Sequence, residues 1–85
     1  MSSPVTTISI EDVVEECKRR QALIQPAVAK DIRTRAGLSQ EEMGAPIDVT
    51  GPCISRWETG SRRPRGPRLA AYAALLAALD QEMSK

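Results

Sequence analysis

The sequence predicts an all-α fold, a bundle of five short helices. Apolar residues recur three or four positions apart in five separate segments, the period of one helix face. The segments are punctuated by capping residues, prolines and glycines, the signals that open and close helices. No stretch reads as an apolar–polar alternation, so no strand competes. Eighty-five residues suffice for one domain, and a composition 41% apolar and 27% charged is that of a globular chain.

Residues 1–8 lack periodicity and are expected to be a flexible N-terminus. Ser9, followed three residues later by Asp12, has the form of a capping box and opens a first helix over about 10–24. Its stripe is Ile10, Val13, Val14, Cys17 and Ile24. That stripe must be covered, either by the domain's own core or by a second subunit. Pro26 ends the first helix and starts a second over about 26–36, with Val28, Ala29 and Ile32 inward and Gly37 as its stop.

Ser39 to Glu42 is a full capping box for a short third helix with Met43 and Ile47 inside. Pro46 falls in its last turn and should kink or shorten it, so that leucine there should stabilise the domain. Thr50 caps a fourth helix with Pro52 in its first turn, Ile54 and Trp57 buried, and Gly60 as its stop. An Arg/Pro/Gly loop, 61–67, leads to an alanine-rich fifth helix over about 67–82. Its stripe is Leu69, Tyr72, Ala73, Leu76 and Leu79, with the Tyr72 hydroxyl at the edge of the core.

Composition excludes much chemistry. Without histidine there is no Ser–His–Asp or Cys–His pair and no two-histidine zinc site, so neither catalysis nor a cofactor is expected. The longest apolar run, Leu69 to Leu79, is too short for a membrane span, and Met1 to Thr7 does not read as a signal peptide. The chain therefore reads as cytoplasmic, with Cys17 and Cys53 reduced. Net charge is only +1, yet residues 51–85 carry six basic and three acidic groups. The excess is Arg56, Arg62, Arg63, Arg65 and Arg68, opposed nearby only by Glu58. Such a cluster suits a phosphate-bearing partner, or is a solvated loop.

The third and fourth segments are joined by only Asp48 to Thr50, which forces a steep crossing and leaves the fourth helix proud of the surface. The run Leu38-Ser39-Gln40-Glu41-Glu42-Met43, then Ile54-Ser55-Arg56-Trp57-Glu58, Gly60 and Arg63-Pro64, resembles the Cro/lambda-repressor-like (XRE) helix-turn-helix family. Ile32, Arg33 and the 69–79 helix fit the same pattern. The resemblance implies a helix-turn-helix domain over 26–85, with the motif at about 39–59 and residues 9–25 as an additional N-terminal helix.

That resemblance implies double-stranded DNA as partner, bound by Ser39, Gln40, Thr50, Gly51, Pro52, Cys53, Ser55, Arg56, Arg62 and Arg63. Gln40 would touch phosphate or brace the recognition helix. Gly51, Pro52, Cys53 and Arg56 would face bases, while Arg62 and Arg63 would lie near phosphate. Arginine can grip guanine bidentately, and Arg56 is the one long donor on the outer side of the fourth helix, unless it pairs with Glu58 or Asp48. Cys53 has no evident basic neighbour in the sequence and reads as an unreactive first-turn residue.

The chain departs from the family pattern at Asp48, where glycine is usual, at Pro46, and at Gly51-Pro52, which offer bases no hydrogen bond. The function expected is a sequence-specific DNA-binding regulator of phage or prokaryotic repressor type, acting as a homodimer at least on DNA. The alternative is an antitoxin-like or anti-regulator module that keeps the fold and binds another protein.

Overall fold

A computed structural model describes residues 9–84 and is built from five α-helices. They are α1 (Ile10–Leu23), α2 (Pro26–Arg35), α3 (Gln40–Gly44), α4 (Gly51–Thr59) and α5 (Gly66–Met83), with a 3-10 turn, Ala45–Ile47, between α3 and α4. The expected N-terminal tail, 1–8, lies outside the described residues. No strand occurs among the described residues.

Local chemistry accounts for the boundaries. Ser9 caps α1 by accepting the Asp12 N–H at 3.0 Å while Asp12 accepts the Ser9 N–H, and Ser39 and Glu42 do the same for α3. Gly37 and Gly60 follow α2 and α4 at φ of +76° and +82°, which only glycine adopts at little cost. Pro46 shortens α3 more than a kink would. The α-helix ends at Gly44, and Pro46 sits in the 3-10 turn.

The core gathers Leu23, Ala29, Ile32, Met43, Ile54, Trp57, Tyr72 and Leu76 from all five helices. Trp57 and Tyr72 pack with ring centroids 4.7 Å apart and planes tilted by 52°, joining α4 to α5. Helix α1 packs on α5: Ile24, just past its end, and Leu69 border one groove, while Arg19 reaches Asp80 at 3.9 Å further along. The two helices therefore run antiparallel.

Several inward expectations are corrected. Val28 is 41% exposed, because Ala29 and Ile32 already take the inner face of α2 and leave Val28 on its flank. Leu69 and Leu79 are half-buried: Leu79 packs against the outside of the core, and Leu69 borders the groove between α1 and α5. The α1 stripe divides: Ile24 packs against the core, but Ile10, Val13, Val14 and Cys17 face solvent, and the buried residue of α1 is Leu23, which the expected stripe did not include. Only the C-terminal part of α1 reaches the hydrophobic core of the domain.

Tyr72 is not at the edge of the core but fully inside it, and its hydroxyl has no hydrogen-bond partner. Burial pushes its phenol well above the ordinary value, with the nearby Glu58 carboxylate adding to the shift. The folded state thus holds a proton that the unfolded chain releases near pH 10, so stability falls as pH rises above about 10. Tyr72→Phe should remove that alkaline loss. It should also stabilise the domain by about 1 kcal/mol at neutral pH, since an unsatisfied buried hydroxyl is no longer desolvated. Urea unfolding at pH 7 and pH 11 checks both.

The position of Pro46 changes what leucine should do there. In a 3-10 turn at the end of a short helix, little hydrogen bonding remains to be restored. Pro46→Leu should therefore shift stability by less than about 1 kcal/mol in urea unfolding, not by the roughly 3 kcal/mol of an interior proline.

Candidate nucleic-acid interface

Helix α4 is held by small residues and a buried ion pair. Val49 donates its N–H to the Gly44 carbonyl at 3.1 Å, and a Cβ on Gly44 would collide with the Val49 carbonyl oxygen. The backbone then reverses at Asp48, whose φ of +60° is a left-handed conformation that aspartate tolerates better than most residues. Thr50 caps α4 by accepting the Cys53 N–H at 3.3 Å. A Cβ on Gly51 would come within 2.8 Å of the Glu41 carboxyl carbon, so the exposed Glu41 side chain of α3 lies directly against the start of α4 and would have to move aside for a side chain there. Gly51 is buried and is not presented outward as the sequence suggested.

The far end of α4 is fixed by charge. Glu58 is buried and accepts two hydrogen bonds from Arg33 of α2, Nε at 2.6 Å and Nη2 at 2.9 Å. Arg33 spends a third donor on the Leu38 carbonyl at 2.8 Å, and Gln40 Nε2 donates to Glu58 Oε1 at 3.2 Å. One carboxylate thereby joins α4 to α2 and to the start of α3, while Arg33 holds the loop between those two helices. The hydrogen-bonded Glu58 carboxylate raises the Arg33 guanidinium further above its already high value, against the opposing effect of burial. The bidentate fork satisfies both charges in a place where neither could stand alone.

Sequence reasoning missed this pair and assigned Glu58 to the arginine cluster. The signal was present. Glu58 follows the buried Trp57 and lies four residues after the buried Ile54, and Arg33 stands likewise after Ile32 and Ala29. Charged residues at inward spacing require partners.

With Glu58 withdrawn, the arginines are left without their one acidic neighbour in the sequence. Arg56, Arg62, Arg63, Arg65 and Arg68 line a single open cleft of about 410 Å³ together with Cys53, Trp57 and Pro64. Arg56 is exposed and pairs with neither Glu58 nor Asp48. The loop after α4 is tied back to that helix: the Thr59 hydroxyl, the Ser61 hydroxyl and the Arg62 N–H all donate to the Arg56 carbonyl, at 3.2, 3.4 and 3.2 Å. Five guanidinium groups thus share one face, and opposed charge is absent from the cleft lining. Cys53 has basic neighbours after all, supplied by the loop rather than by its own turn.

The remaining candidates are placed as follows. Ser39 and Thr50 are exposed, each with its hydroxyl oxygen accepting a cap hydrogen bond. Gln40 is half-buried and braces Glu58. Pro52 is exposed, Cys53 and Ser55 are half-exposed, and Arg62 and Arg63 are fully at the surface. Of the candidates on α4, Cys53 and Arg56 line the basic cleft, whereas Gly51, Pro52 and Ser55 do not. Both thiols are free. Among the described residues no group of His, Cys, Asp and Glu is arranged to hold a metal ion.

A short α-helix, a tight left-handed turn and a second helix raised on a buried ion pair, with Arg56 on its outer side and further arginines following it, define a helix-turn-helix module. Residues 27–85 match the helix-turn-helix domain family, well over half of the chain, and the protein belongs to it. No curated protein and no solved structure matches the chain. No helix among the described residues is long and apolar enough to cross a membrane.

Glu58→Ala should cost about 3–5 kcal/mol in urea unfolding, because it leaves Arg33 charged and buried without its partner. Arg33→Met together with Glu58→Met should cost much less than either single truncation, since no charge is then stranded.

Proposed function

We propose that this protein is a sequence-specific DNA-binding transcriptional regulator, a small cytoplasmic repressor of phage or prokaryotic type. It acts by occupying operator DNA rather than by catalysis. The observation that carries the reading is the arginine-lined cleft along α4, freed of its acidic neighbour by the Arg33–Glu58 pair. Helix α4 enters the major groove with Arg56 on base edges, because Pro52 offers no donor and Gly51 is buried against Glu41. Arg62 and Arg63, on the loop tied to the end of α4, lie against the phosphate backbone. Ser39, Thr50, Cys53 and Ser55 complete the contact surface. Gln40 acts as a brace, its amide already engaged by Glu58.

One helix of this size reads only a few base pairs, so two copies bind two half-sites about 34 Å apart. A second reading, an antitoxin-like or anti-regulator protein module, draws on the Glu41 carboxylate set against Gly51 at the start of α4. Negative charge there disfavours an approaching phosphate.

Selection from a random DNA pool, followed by titration of the chosen duplex against salt, tests the proposal. Affinity should fall steeply with salt, and a protein partner module would show little DNA binding at any salt. Arg56→Ala should cost about 1–3 kcal/mol on the selected site and little on random DNA, relaxing one base pair per half-site. Arg63→Ala should weaken both duplexes alike and lower the salt slope by about one per bound subunit.

A further inference from the structure

The N-terminal half of α1 presents an apolar face that the interface above does not use. Ile10 is 81% exposed, Val13 50% and Val14 42%, and Cys17 follows on the same face, also exposed. At 100° per residue these four fall within about a quarter to a third of the helix circumference. The helix meets its own domain through its C-terminal part, by buried Leu23, by Ile24 and by Arg19 toward Asp80, and Cys17 lies where the apolar face runs into the groove between α1 and α5.

The charges beside this face are divided along the helix. Glu11, Asp12, Glu15 and Glu16 lie in its first half, and Lys18, Arg19 and Arg20 in its second. Some are engaged internally: Asp12 closes the cap on Ser9, and Glu16 pairs with Arg19 at 3.6 Å and Arg20 at 2.9 Å. Glu11, Glu15 and Lys18 enter no ion pair among the described residues. Glu11 and Lys18 are seven residues apart, two helical turns, and so stand on the same edge of the apolar face.

We propose that this face is the contact with a second copy of the chain, with the two α1 helices antiparallel about a two-fold axis near Val14. A two-fold axis perpendicular to both helices sets the same edge of each copy side by side. Glu11 of each copy then lies opposite Lys18 of the other, twice over; Val13 and Val14 meet their counterparts near the axis, and Ile10 of each copy approaches Cys17 of the other. A parallel arrangement would stack both acidic halves at one end. Four short side chains cover far less than the roughly 1,200 Å² of a stable interface, so the dimer is weak in free solution. It gains strength when two copies occupy adjacent half-sites, a consequence that rests on the DNA-binding reading; the self-association itself does not.

Sedimentation equilibrium of the full chain without DNA tests the contact, with circular dichroism to verify that each variant keeps its helices. A reversible monomer–dimer equilibrium is expected, weakened by salt, with a dissociation constant below about 1 mM. Val14→Asp should abolish it. Glu11→Lys and Lys18→Glu should each weaken it on the order of tenfold, since two symmetry-related pairs turn repulsive, and the double exchange should restore it. A chain that stays monomeric to about 1 mM overturns the proposal. So does a dimer indifferent to Val14→Asp, or a double exchange no better than its single variants. Because DNA is absent, none of these outcomes bears on whether α4 binds a duplex.

Discussion

A guanidinium and a carboxylate, shut away between α2 and α4, determine what the outer side of this domain can offer. Arg33 and Glu58 satisfy each other twice, and the leftover donors and acceptors are taken by Leu38 and Gln40. Charges desolvated to this degree tolerate only a narrow range of geometries, so the pair fixes the position of α4 more firmly than apolar packing alone. Ile54 and Trp57 then bury beside it, and Tyr72 packs on Trp57. The same carboxylate weighs on the Tyr72 phenol, whose hydroxyl the core leaves unbonded.

The pair also decides the electrostatics of the surface. In sequence, Glu58 is the only acid among the arginines from Arg56 to Arg68. Folding turns it inward, so the cleft is lined by arginine without an opposing carboxylate. A nearly neutral chain thereby acquires a strongly basic face. Hydrogen bonds hold it in place, because the Thr59 hydroxyl at the end of α4, the Ser61 hydroxyl and the Arg62 N–H converge on the Arg56 carbonyl and anchor the loop that carries Arg62 and Arg63.

Small residues set the approach of α3 and α4. Gly44 admits the Val49 carbonyl and Gly51 admits the Glu41 side chain, while Asp48 supplies the left-handed turn between them. Pro46 belongs with these: by ending α3 at Gly44 it leaves a 3-10 turn that leads directly into Asp48. The same closeness limits the site. Gly51 is buried, which leaves Pro52 and, one turn further on, Arg56 as the exposed residues on that side of α4.

Helix number, caps and stops were legible in the sequence because they depend on neighbours three or four residues away. Ser9 with Asp12, Ser39 with Glu42, Thr50, Gly37 and Gly60 all act within a single turn. The inner positions of Ile32, Met43, Ile54 and Leu76 followed from period alone, as did the motif that marks the helix-turn-helix. What period cannot tell is which of two apolar faces finds a neighbour. Val28 and the stripe from Ile10 to Cys17 have inward spacing and yet remain outside, because the core is filled by other residues before it reaches them. Nor could the sequence assign Glu58, whose partner lies 25 residues away on another helix. Long-range pairing of a buried charge, and the burial of Tyr72 and Gly51, exist only once five helices are packed together; tertiary structure decided them.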